Sequence, residues 1–164
     1  MKKRILKTLG GASLAIVALA VFAQVWVSAQ KNSEQSLIGS WDVLVTARDC
    51  ETGAPIPFIP VFPAHMTYAQ GGTMQETDLG GPGLVRLPGH GVWRHQVGRQ
   101  YNAAFRFLNF APDRTFVGSN VVRSSISLSL GGDEYASTDT LEILNADGQV
   151  VETGCATTVA TRFE

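Results

Sequence analysis

Beyond Lys31 the chain has no lysine, which excludes Schiff-base chemistry from everything downstream. Cysteine is scarce, with only Cys50 and Cys155. There is no Gly-x-Ser-x-Gly elbow, no His-Glu-x-x-His, no P-loop and no Gly-x-Gly-x-x-Gly. The common hydrolase, metalloprotease, kinase and dehydrogenase signatures are therefore missing. No stretch after Ser36 carries apolar residues at helical spacing over three turns.

The one long apolar run lies at the start. Lys2, Lys3, Arg4 and Lys7 precede an apolar segment from Leu14 to Ala23, and Val27-Ser28-Ala29 places small residues where a signal peptidase reads. This predicts a signal peptide over residues 1–29, a short linker over 30–36 and a single domain over 37–164, working in the periplasm or outside the cell. Cleavage after Ala23 and retention as an anchor are the alternatives, since Leu9 to Val27 is long enough to cross about 30 Å of hydrocarbon. Cys50 lies too far downstream to be a lipoprotein cysteine.

Removing 1–29 leaves nine basic residues against 14 acidic ones, a net charge of −5. That argues against nucleic acid and anionic membrane surfaces as partners, and no stable membrane insertion is expected once the signal is cleaved. In an oxidising compartment an even cysteine pair reads first as a disulfide.

What recurs through the domain is alternation, with β-branched and aromatic residues punctuated by Gly, Pro, Asn and Asp. Eight strands are predicted, over roughly 38–50, 64–70, 72–79, 91–96, 99–110, 115–130, 133–145 and 148–163. Ile126, Leu128 and Leu130 alternate with Ser125, Ser127 and Ser129, while Gly131-Gly132 and Ala146-Asp147-Gly148 mark hairpins. Eight consecutive antiparallel strands can close into an up-and-down barrel, which removes exposed edges. Closure would bring the end of the first strand, at Cys50, to the start of the last, near Cys155; a β-sandwich could also join them. The two long loops, 51–63 and 80–90, would share one rim, here called the mouth, opposite short turns near Gly71, Gly98 and Gly131. Residues 55–63 read Pro-Ile-Pro-Phe-Ile-Pro-Val-Phe-Pro, expected to form a stiff apolar lip rather than a central strand.

At Gly39-Ser40-Trp41 the chain carries the Gly-x-Trp with which lipocalins open, and Arg162 matches the late Arg that packs across that Trp. Gly71-Gly72-Thr73, Gly89-His90-Gly91-Val92-Trp93, Asp147-Gly148 and Ala160-Thr161-Arg162 are similar to stretches of bacterial lipocalin-like (calycin-type) barrels. Allene oxide cyclase-like barrels share the general shape. The resemblance covers about residues 37–163 and implies a lipocalin-like barrel with Trp41 closing the floor beneath Arg162. It departs from true lipocalins in lacking a Thr-Asp-Tyr motif and a C-terminal helix, which separates it from their usual ligands.

Function classes follow from the residues left. Trp93, Tyr101, Phe105 and Phe107 are expected in the lumen, with Phe58 and Phe62 on the lip, as contacts for a small apolar molecule. The alternatives are a cofactor-free isomerase or cyclase using His95, Glu76, Tyr101 and Arg99, and a purely structural or protein-binding barrel. His90 and His95, with His65 or Glu76, are the residues available for a metal. His90 and His95 differ in parity along a strand, which does not decide the matter with His90 on a loop. The favoured reading is no metal, with Trp93 in the core and His90 and Arg94 exposed and hydrogen-bonded. No cofactor is expected, and oligomeric state is left open.

Overall fold

Asp49 shows how local chemistry sets the elements. In the computed structural model, which describes residues 36–81 and 83–163, its Oδ1 accepts from Thr52 N at 2.7 Å, Thr52 Oγ1 at 2.8 Å and Glu51 N at 3.1 Å. This Asx turn ends strand β1, Gly39–Arg48, two residues before the expected boundary. The expected signal peptide, and all of the expected linker except Ser36, lie outside the described residues.

Eight further strands follow: β2 Phe62–Tyr68, β3 Thr73–Asp78, β4 Val85–Arg86, β5 Gly89–His95, β6 Gln100–Phe110, β7 Phe116–Leu128, β8 Glu134–Asn145 and β9 Val150–Arg162. All pair antiparallel, and β1 pairs with β9 while β6 pairs with β7. Eight of the nine strands therefore close into an antiparallel barrel, with β4 an extra short strand beside the end of β6.

Two expectations need correction. The 80–90 loop contains β4, because Val85 and Arg86 pair with Phe110 and Asn109 where β6 runs past the end of β5. The Pro-rich segment is not entirely loop: Phe62 and Pro63 begin β2, opposite Val45 and Leu44. Proline is tolerated there because β3 pairs with β2 only from Ala64 onward, so the strand still has an open side.

Pairing from Ser40 passes through Thr67, Gln75, His90, Arg106, Val121 and Glu142 to Thr153. Ser40 O itself accepts from Phe163 N, ten residues further along the chain from Thr153. The strands are thus steeply tilted, as closure of an eight-stranded barrel demands. Gly91 permits a tight crossing on the way: a Cβ there would lie 2.1 Å from Ala104 O and 2.6 Å from Phe105 Cα.

The short-turn end holds the core. Trp41 is fully buried; its Nε1 donates to Leu37 O at 3.0 Å, and its ring meets Tyr135 edge-on at 4.8 Å. The Arg162 guanidinium lies 4.3 Å over the Trp41 ring and donates to the carbonyls of Ile38, Ser36 and Gly132. A Cβ on residue 39, whose φ is +135°, would sit 2.6 Å from Arg162 Nη1. The Gly-x-Trp pattern thus has a local reason: glycine leaves room for the cation that covers the tryptophan.

The Cys50–Cys155 disulfide ties the turn after β1 to β9 near the mouth, with Cα atoms 5.2 Å apart. It is compatible with an oxidising location outside the cytoplasm.

Candidate functional site: the barrel lumen

Strand alternation sends Val43, Val45, Met66, Tyr68, Glu76, Tyr101, Phe105, Phe107, Val122, Ile126, Asp139 and Leu141 inward. Toward the floor these positions are sealed. Tyr68, Trp93, Tyr101 and Tyr135 form a chain of ring contacts with centroids 5.8–6.2 Å apart. The hydroxyls of Tyr68 and Tyr135 both donate to Met66 Sδ, at 3.3 and 3.2 Å. Burial, reinforced by the nearby Asp139 and Glu76 carboxylates, pushes both phenols above their usual pKa.

Toward the mouth the inward side chains are less covered. Val45, Phe62, Phe107, Val122, Leu141 and Ile143 are only half-buried although they share the inward parity of the core. Above them stands the lip of the 49–61 loop, where Phe58 is 84% and Val61 55% exposed.

Two polar groups enter this upper half. Arg86, carried on β4, turns its side chain inward until only 4% is exposed. Its guanidinium bonds to Glu76, lies 3.0 Å from Asp78 and stacks 3.5 Å above the Phe107 ring. Arg86 Nε is buried without a partner. Burial raises the Glu76 pKa above its ordinary value, and Arg86 opposes that rise. On the other wall Asp139, 9% exposed, accepts from Ser137 Oγ at 2.9 Å and from Thr158 Oγ1 at 2.7 Å. The Ser137 and Thr158 hydroxyls also touch one another.

The four candidate catalytic residues do not meet at one point. Glu76 is bound to Arg86 in the upper half, whereas His95 lies at the floor end, exposed, with Nε2 2.8 Å from Gly98 O and its ring 5.0 Å from that of Tyr101. Arg99 Nε donates to Leu128 O at 3.1 Å. His65 and His90 are both exposed, and among the described residues no group of His, Cys, Asp and Glu is arranged to hold a metal ion. Of the expected ligand contacts, Tyr101 and Phe105 are buried in the lumen, Phe107 and Phe62 line its open half, Trp93 lies in the aromatic chain below, and Phe58 stands on the lip.

The sequence reasoning missed Arg86 and Asp139. Asp139 was within reach of it, since inside the predicted strand 133–145 it shares parity with Tyr135 and Leu141. Arg86 was not, because nothing local announces that a loop residue turns inward.

A cavity of about 680 Å³ is lined by the inward residues Trp93, Ala103, Ser124, Asp139 and Ala156 together with their strand neighbours, Arg94 and Arg123 among them. Neither Phe105 nor Phe107 contributes to it.

Comparison with protein-family models, with curated proteins and with solved structures found no match to this chain.

Proposed function

We propose that this chain is an exported, lipocalin-like barrel that takes a small, largely apolar molecule into the mouth half of its lumen. The observation that carries the reading is the lighter burial of that half. Apolar side chains that point inward at Val45, Phe107, Val122, Leu141 and Ile143 are only partly buried, while their counterparts below are sealed. A molecule lying on them would remove apolar surface from water at roughly 25 cal/mol per Å². The exposed Phe58, Ile59 and Val61 of the lip lie beside the same opening and would gain in the same way. The disulfide supports export, because such a bridge persists in oxidising compartments.

The test is titration of the mature domain, starting at Gln30, with long-chain alcohols, amines, polyenes, quinones and terpenoids. Tryptophan fluorescence reports occupancy, since Trp93 belongs to the aromatic chain beneath the open half. Binding is expected for at least one class, and Ala156→Phe, which fills the lumen beside Asp139, should abolish it. If no compound binds below about 100 μM, roughly −5.5 kcal/mol, the reading fails.

A further inference from the structure

We propose that the molecule held in the lumen carries a positively charged head, a protonated amine, that pairs with Asp139. This rests on the reading above and names the chemistry of its ligand.

Asp139 is deep inside the wall, and its cross-strand neighbours are small. Ala156 on β9 and Ser124 on β7 flank it; Ala47 lies beyond Ala156 and Ala103 beyond Ser124. The carboxylate is the one long side chain in that row from β1 to β6, and Ala103, Ser124, Asp139 and Ala156 of the row line the cavity of about 680 Å³. A carboxylate offers about four lone-pair sites. The Ser137 and Thr158 hydroxyls supply its neutral donors, and among the described residues no Arg, Lys or His forms an ion pair with it. A buried charge without an opposite charge is unfavourable, and an incoming ammonium supplies the missing partner together with N–H donors for the remaining lone pairs.

The other acidic and basic side chains facing the upper lumen point the same way. Arg86 is already shared between Glu76 and Asp78, so with Asp139 the interior sets three carboxylates against one guanidinium. An anionic head such as a fatty acid's is repelled there, and a cationic one is attracted. With its head at Asp139, a ligand's apolar part lies in the same cavity, against Trp93, Ala103 and Ala156.

The experiment compares three probes of one chain length, decylamine, decanol and decanoate, against the mature domain at neutral pH, with binding read by calorimetry. Decylamine should bind at least about tenfold more tightly than decanol, and decanoate most weakly. Asp139→Asn keeps the shape and should reduce decylamine affinity by about tenfold or more while leaving decanol unchanged. Equal binding of all three probes overturns the charged head and leaves the apolar cup standing. Failure of all three to bind at millimolar concentration overturns both. An amine preference that survives Asp139→Asn also overturns the assignment, since it would reflect the overall negative charge. Should that variant not fold, the three probes are titrated against the parent protein in about 1 M salt: an amine preference that persists supports the buried pair, and one that vanishes reflects the overall charge and overturns the assignment.

Discussion

The two halves of this barrel are built from the same strands yet obey different rules. Near the floor, Trp41, Tyr68, Tyr135, Ile126 and Leu128 are at most 4% exposed, and the polar atoms among them find partners within the stack. Near the mouth, strands of up to 13 residues rise past the core, and their inward side chains are half-covered or charged. A sealed aromatic floor supplies the packing energy, so the open half is free to hold groups that do not stabilise the fold.

Substitutions should separate the halves. Trp41→Ala removes the largest fully buried side chain and should cost about 3–5 kcal/mol in denaturant unfolding. Phe58→Ala, on the exposed lip, should stay within about 0.5 kcal/mol. Comparable losses at both positions would dissolve the distinction.

Next in size is the disulfide. Cys50 and Cys155 are 105 residues apart, for which the chain-entropy model gives about 4–5 kcal/mol, and real bridges often deliver less. Replacing both cysteines should therefore lower the thermal midpoint without unfolding the domain. Intact mass before and after reduction should differ by two hydrogens in exported material; two free thiols would refute the bridge.

The smallest effect concerns Glu76. Burial raises its folded-state pKa above 4.5, so between the unfolded and folded values the folded protein binds more protons. Its contribution is fully present below the unfolded pKa and is lost as pH rises through the folded one. Glu76→Gln should flatten this part of the stability–pH profile, as followed by thermal unfolding. An unchanged profile would place the charge balance of the upper half elsewhere.

Much of the barrel was legible in the sequence because its code is local. Alternation between Ser125 and Leu128, the Gly131-Gly132 hairpin and the Asp147-Gly148 turn are each read within a few residues. Boundaries shifted where side chains intervened, as at Asp49, or where a neighbouring strand stopped short, as at Pro63. The candidate site was harder. Its aromatic wall follows from the parity of β6, but its charges do not.

By itself the sequence determined an all-β chain and a single cysteine pair placed to bridge the first and last strands, both of which depend on strand period, turn chemistry and strand order. The Trp41–Arg162 floor was implied by the resemblance to lipocalins. Only the tertiary structure decided that Arg86 leaves its loop to bind Glu76 and Asp78, that Asp139 is buried with no ion-pair partner among the described residues, and that the inward side chains are more deeply buried at one end. The physical reason is distance along the chain. Those arrangements join residues from different strands across a closed barrel, and no local pattern specifies which side chains will meet there.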